Sequence, residues 1–188
     1  VEKSTLPTDI ATFDIHAFTE ASSNKDHLAI TIGKLNSASV LARVHSQCIT
    51  GESFFSMRCD CRYQLTESLK QIANNGSGVI FYLQQEGRGI GLSNKIKAYK
   101  LQDEGMDTVE ANHQLGFLED ERNYEIVATM AKHLDIKSVD LLTNNPGKIK
   151  ALETMGLIVN KRIPLLSSSN EHNEKYLTTK AKKLGHLM

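Results

Sequence analysis

The chain has 188 residues, 40% hydrophobic and 23% charged, with 22 Lys and Arg balancing 22 Asp and Glu. That length supplies one well-buried core without demanding two domains, and a balanced charge with no basic arm argues against a broad nucleic-acid surface, so any anion must be bound locally. No apolar run approaches membrane-span length and no export signal stands at the N-terminus, so the expectation is one domain over 1–188, cytoplasmic, with neither membrane nor nucleic acid as partner.

Residues 1 to 44 read as strands. Phe13, Ile15 and Ala17 alternate with polar neighbours, as do Leu28, Ile30 and Ile32, and again Val40, Ala42 and Val44. Turns fall at residues 21–26 and at Asn36-Ser37. The simplest inference is an antiparallel sheet whose third strand delivers Arg43 and His45 to the segment that holds every cysteine, spaced C-x10-C-x-C from Cys48 through Cys59 to Cys61. Core cysteines are usually scattered small hydrophobes. A disulfide would leave one thiol over, and Cys59 and Cys61 are too close to bridge without strain. Reduced thiols suit the cytosol. Metal ligation remains, and zinc takes thiolate readily: a structural site closes with four protein ligands, whereas a catalytic one supplies three and leaves the fourth position to water. Three cysteines fit the open case, which would make hydroxide near neutral pH. His45 or His113 could close the shell instead.

After Cys61, Leu65, Leu69 and Ile72 repeat at helical spacing up to Gly76, with Gln64 in the first turn. The run Val79 to Leu83 reads as a buried strand. It leads into Gln84-Gln85-Glu86-Gly87-Arg88-Gly89-Ile90-Gly91, a glycine turn before a helix bearing Leu92, Ile96 and Tyr99 and stopped by Gly105. Such a turn lets amides approach a phosphate, and Arg88 adds a bidentate fork, although neither the Walker pattern nor the full dinucleotide fingerprint is present.

Residues 106 to 118 read as an irregular connection crowded with Thr108, Glu110, Asn112, His113 and Gln114, either solvated or placed to read a purine edge. From Asp120, Ile126, Val127, Met130 and Leu134 mark an amphipathic helix capped by Asp120. Arg122 in its first turn would oppose the helix dipole and so needs an anionic partner: Asp120, Glu119 or a ligand. Ser138 to Thr143 reads as a strand, followed by Asn145 as cap, Pro146 at the first helical position and Lys148 within a turn, a second anion cradle. Ile149, Leu152 and Met155 face a core, Gly156 ends the helix, and residues 157–159 open a last strand, parallel to the previous one by a right-handed crossover. The polar tail from Ser167, with a helix around Tyr176 to Lys183, reads as a solvated cap. His16, His27, His133, His172 and His186 show no partner pattern and read as surface or satisfied core residues. The fold class is mixed α/β (α+β): N-terminal antiparallel strands leading into a mixed sheet with helices packed on it.

Together the segments RVHSQCITGESFFSMRCDCRYQL, QQEGRGIGLSNKIKAYKLQDEGMDTVEANHQLGF, DERNY and LLTNNPGKI resemble GTP cyclohydrolase II, the enzyme opening riboflavin biosynthesis. The likeness is strongest from Arg43 to Pro164, and NEKYLTTKAKKLGHLM is similar to that family's C-terminus. The resemblance implies a zinc-dependent hydrolase, a homodimer, that converts GTP to 2,5-diamino-6-ribosylamino-4(3H)-pyrimidinone 5′-phosphate, formate and pyrophosphate, with magnesium at the triphosphate. Carried over residue by residue, Cys48, Cys59 and Cys61 would hold zinc. Arg43, Val44, His45, Ser46, Gln47, Gln64, Glu86, Gly87, Arg88, Thr108, Thr143 and Lys148 would hold GTP. Asp120 would be the proton acceptor, Arg122 the nucleophile at the α-phosphate, and Tyr99 a helper in the ring chemistry. A guanidinium with pKa above about 12 has almost no free base, so charge stabilisation by Arg122 fits equally. Gln47, Arg62 and Gln84 stand where the family commonly has glutamate, glycine and arginine. They keep two other readings open: a non-catalytic GTP-binding paralogue, and a cyclohydrolase that stops at the formamide.

Overall fold

The computed structural model describes residues 1–187; Met188, the end of the tail motif, lies outside the described residues. The strands are β1 (Glu2–Pro7), β2 (Thr12–Glu20), β3 (Lys25–Ile32), β4 (Val40–Ser46), β5 (Gly78–Leu83), β6 (Ser138–Leu142) and β7 (Ile158–Ile163), and they form one sheet in the order β1-β2-β3-β5-β4-β6-β7. The alternation in β2 to β4 marks two covered faces rather than core against solvent. Ala29, Phe18, Val44 and Phe81 pack with Val127, Met130 and Leu152 on one side, while Phe13, Ile80 and Ile72 pack with Leu142 and Leu165 on the other, where Ile30 and Ile32 join them.

The sheet corrects the expected neighbour of β4. β5 lies between β3 and β4, antiparallel to β3 (Ile30 opposite Ile80) and parallel to β4 (Val44 opposite Phe81), and β4 is also parallel to β6. Period-2 alternation records which face a side chain takes but not which strand lies alongside. β1, unmarked by any alternation, is an exposed edge strand paired antiparallel with β2. β6 and β7 are the expected parallel pair.

The helices are α1 (Ile49–Glu52), α2 (Cys61–Asn75), α3 (Leu92–Asp103), α4 (Thr108–Gln114), α5 (Glu125–His133), α6 (Pro146–Thr154) and α7 (Glu174–Lys182). Gly76 ends α2 in the left-handed conformation, φ 73°. Asn145 caps α6 by accepting the Gly147 N–H at 2.9 Å, with Pro146 in its first turn. Residues 108–114 are helical, not irregular. Asp107 accepts the Val109 and Glu110 N–H groups while Glu110 accepts that of Asp107, a reciprocated capping box that overrides the polar composition. The following helix begins at Glu125 with Tyr124 as its N-cap, so Asp120 caps nothing and Arg122 precedes the helix. Leu92 and Ile96 of α3 stay 43% and 49% exposed; its buried residues are Lys95 and Ala98.

The carboxyl ends of the parallel strands β4, β5 and β6 point to one edge. They run into the cysteine segment, the glycine turn and the Asn-Pro-Gly cap respectively. Open α/β sheets bind ligands outside that edge.

Candidate active site

The cavity at this edge brings together segments far apart in the chain. Cys48 follows β4 directly, and Cys59 and Cys61 stand at the entrance to α2. Their sulfurs lie within 4.8 Å of one another, with Cys48 and Cys59 3.7 Å apart. Tetrahedral zinc with bonds of about 2.3 Å would put sulfurs about 3.8 Å apart, so the cluster fits zinc. It demands room: a Cβ on Gly51 would stand 2.8 Å from the Cys59 sulfur and 3.3 Å from that of Cys48. Hydrogen bonds from the neighbouring thiols, helped by the Lys95 ammonium, hold the Cys48 thiol far below its ordinary value, while the hydrogen bond to Cys48 pushes Cys59 up to about 11 and raises Cys61 well above its ordinary value.

Neither histidine completes a shell: among the described residues the ligand group holds the three cysteines alone. His113 is exposed on α4. His45 Nε2 donates to Glu52 Oε1 at 2.8 Å, and burial keeps its ring neutral against that carboxylate. Glu52 also accepts the Cys48 N–H at 2.9 Å and the Tyr82 hydroxyl at 2.5 Å, and so pins the first thiol. A second partly buried carboxylate, Glu86, accepts the Ile49 N–H at 2.7 Å and the Lys95 ammonium at 2.7 Å. Lys95 in turn donates to Cys48 Sγ at 3.0 Å and to Thr50 Oγ1 at 2.8 Å. Thr50 Oγ1 lies 3.3 Å from the Tyr99 hydroxyl. Lys95 escaped the sequence reading because a lone lysine between apolar helix positions gives no periodic signal.

The glycine turn, Glu86–Gly89, holds Gly87 and Arg88 at φ 64° and 60°. A Cβ on Gly89 would meet the Glu121 carbonyl at 2.8 Å, so the turn can lie against residues 120–123 only with glycine there. The Glu121 N–H donates to the Arg88 carbonyl at 3.0 Å, and Gln85 exchanges two hydrogen bonds with the Asn123 backbone. This extended strip displays Arg122, whose Nε and Nη2 donate to Asp120 at 2.7 and 2.5 Å; of the candidate partners, Asp120 is the one used. The burial that would lower the Arg122 pKa is outweighed by that pairing, which raises it, and Asp120 is held below its ordinary range against its own burial.

Arg43 is buried, donates to the Leu142 carbonyl at 2.9 Å and to Gln64 Oε1 at 2.5 Å, and is pushed down to about 10 by burial. Lys148, also buried, donates to the Val44 carbonyl at 2.7 Å; burial, then Arg43 and Arg122, depress it well below its ordinary value. Arg43 Nε and Arg88 Nη2 are buried donors without partners among the described residues. Crowded cations with idle donors fit an anionic ligand.

Most expected residues line this one cavity: Arg43, His45, Ser46, Gln47, Gln64, Glu86, Gly87, Arg88, Tyr99, Thr108, Arg122, Thr143, Lys148 and the cysteines. Val44 does not; its side chain is in the core and it contributes its carbonyl. Asp120 reaches the cavity only through Arg122. Thr108 and Asn112, one turn apart on α4, line it, whereas Glu110 and His113 face out. The tail is not a solvated cap, since Tyr176, Lys180 and His186 also line the cavity. Burial and the neighbouring cations Lys180, Arg122, Arg88 and Lys148 lower His186 to about 3. Of the departing residues, Gln47 lines the cavity, Arg62 stacks over Phe55 at 4.0 Å, and Gln84 donates its N–H to His27 at 3.2 Å.

Among described residues no helix is long and apolar enough to cross a membrane. The crystal structure of a two-domain 3,4-dihydroxy-2-butanone 4-phosphate synthase from A. baumannii shares the fold, with a TM-score of 0.53 at 18% identity over 87% of this chain and 39% of that one. A protein of Azotobacter vinelandii named GTP cyclohydrolase-2 is 54% identical over all of this chain and 91% of its own length. One of the same name from Hahella chejuensis is 55% identical over 97% of this chain and 89% of its own. The family model described as GTP cyclohydrolase II matches residues 1–164. With its strongest motifs gathered in one cavity, the chain belongs to the GTP cyclohydrolase II family.

Proposed function

We propose that the chain hydrolyses GTP to 2,5-diamino-6-ribosylamino-4(3H)-pyrimidinone 5′-phosphate, formate and pyrophosphate, the first step of riboflavin biosynthesis, with zinc on Cys48, Cys59 and Cys61 and magnesium at the triphosphate. The observation that carries this reading is a three-thiol ligand set, without a fourth protein ligand among the described residues, sharing a cavity with Arg43, Arg88, Arg122 and Lys148. Cys48, Cys59 and Cys61 would hold zinc, which when bound would supply an activated water at neutral pH, the nucleophile that opening guanine at C8 and then hydrolysing the formamide both require.

The chain's own groups do the rest. Lys95 donates to the Cys48 sulfur and so offsets part of the thiolate charge, while Glu86 holds Lys95 in place. Thr108 and Asn112 offer hydroxyl and amide groups to the guanine edge. The cations stabilise charge that develops as the bond between α- and β-phosphates breaks. Arg122, kept charged by its bidentate pair with Asp120, has no lone pair for attack on phosphorus, so its role here is electrostatic. Asp120 orients it through that pair.

The whole chain acts as one domain, since all seven strands share one sheet. Unpaired thiols suit a reducing cytoplasm. Large apolar side chains left exposed at Phe54, Phe55, Leu92 and Ile96 support a homodimer, which light scattering would test.

The deciding experiment incubates zinc-replete protein with GTP and magnesium and follows formate and pyrophosphate separately. Release of both is expected. Tight GTP binding without either product overturns the reading in favour of a binding protein, and accumulation of the formamide in favour of a partial cyclohydrolase.

A further inference from the structure

The match to the family model ends at residue 164, yet the cavity does not. Beyond that point α7 lies against the site and is tied to it along its length. Lys175 donates to the carbonyls of Gly105 and Met106 at 2.7 and 3.2 Å, and Lys183 pairs with Asp107 and Glu110 at the start of α4. After the helix, the His186 N–H donates to the Lys180 carbonyl at 3.0 Å and the Leu187 N–H to the Asn144 carbonyl at 2.8 Å, in the loop that carries the second anion cradle.

Lys180 makes the central attachment. Its ammonium reaches both oxygens of Asp60 at 2.9 and 3.2 Å, and the two side chains are only 8% and 3% exposed. Asp60 stands between two of the three thiols in sequence and accepts from Gln64 Nε2 at 2.6 Å; Gln64 Oε1 accepts from Arg43 at 2.5 Å. An unbroken chain of charged and polar contacts thus runs from the tail to Nη2 of the cavity cation Arg43, whose Nε has no partner among the described residues. Burying such a pair costs desolvation, which a purely structural strap would avoid with apolar residues. Here it fixes the orientation of Gln64, and through it a guanidinium.

We infer that the C-terminal segment Asn173–Leu187 is part of the nucleotide site: Tyr176, Lys180 and His186 close the cavity over a polyphosphate, and Lys180 is a positioning residue that sets Arg43 through Asp60 and Gln64. The inference deepens the GTP reading and rests on it for the identity of the ligand, while the part played by the tail depends only on the ligand carrying a polyphosphate.

Two measurements test it. In the first, wild-type protein is digested with trypsin, which cuts at the tail lysines, alone, with GTP and with inorganic tripolyphosphate. Both ligands are expected to slow cleavage within the tail. In the second, Lys180→Met is expected to raise KM for GTP by about 10- to 100-fold, the range for losing a charge-assisted contact, with a much smaller change in kcat. Lys180→Arg restores most of it, and zinc content stays at the wild-type value. A KM rise accompanied by zinc loss, or an unchanged KM, overturns the positioning role. Cleavage unaffected by either ligand overturns the inference altogether and decides the matter alone should the variant not fold. If wild-type protein neither binds nor consumes GTP but tripolyphosphate still protects the tail, the GTP reading falls and the tail's role stands.

Discussion

The thiol cluster and the cation group share a cavity but are made in opposite ways. The thiols of Cys48, Cys59 and Cys61 come from one continuous segment, close in sequence, and are set by local devices: a glycine with no room for a Cβ and a carboxylate four residues on. The cations Arg43, Arg88, Arg122, Lys148 and Lys180 come from five separate stretches of chain; Arg43, Lys148 and Lys180 are each held by a partner far away in sequence, Arg122 by Asp120 beside it, and Arg88 Nη2 has no partner among the described residues. A metal site needs sulfurs within tenths of an ångström, which a short loop can fix. A polyphosphate spreads its charge over several oxygens and accepts donors from many directions, so its site can be assembled across the sheet edge. The first region should therefore fail abruptly on substitution, and the second by degrees.

The largest effect is expected from Cys59→Ser, which should lower formate release by on the order of a thousandfold or more. If the regions are separable, pyrophosphate release survives it; assaying both products in one reaction gives the answer. Gly51→Ala should mimic it without touching a ligand, because the new methyl would stand 2.8 Å from the Cys59 sulfur, and zinc analysis should show the metal lost.

Next comes Asp120→Asn, which leaves Arg122 without its bidentate partner. Turnover should fall roughly 100- to 1000-fold with zinc content unchanged. On the same side of the comparison, Lys148→Met should raise KM for GTP about 10- to 100-fold while Cys48, Cys59 and Cys61 keep their metal, a graded loss suited to one donor among several. Glu52→Gln probes the opposite side: with the clamp on the Cys48 N–H and His45 weakened, zinc affinity should drop about 10- to 100-fold in competition with a chromophoric chelator.

The smallest effect concerns pH. The burial that would raise the Asp120 pKa is outweighed by Arg122, which holds it below 3.8. Its ion pair therefore adds stability in full above that ordinary value and loses it as pH falls through the lower folded value. Urea unfolding of wild type and Asp120→Asn should differ at neutral pH by less than about 1 kcal/mol and converge in acid.

Much of this site was legible in the sequence because its signals are local. The spacing C-x10-C-x-C, the Asn145-Pro146 cap, the glycine after α2 and the run Val79 to Leu83 each state a backbone or ligand preference within a few residues, and each holds in the structure. The resemblance added the order of the motifs. Polar composition misleads in two places: residues 108–114 form a helix rather than an irregular connection because Asp107 and Glu110 satisfy each other's amides, and the tail helix is a wall of the cavity rather than a solvated cap because one lysine finds a buried carboxylate.

What the sequence by itself determined was therefore the thiol cluster, most helices and strands, and the chemistry those residue types permit, all consequences of contacts within a few residues along the chain. Only the tertiary structure decided that β5 separates β3 from β4, that Lys95 reaches the Cys48 sulfur, that Asp120 pairs with Arg122 rather than capping a helix, and that Lys180 closes on Asp60. Most of those pairings cross long stretches of chain, 120 residues in the last case. No periodicity encodes them. They are settled by which partner satisfies a buried charge once the sheet has brought the strand ends together.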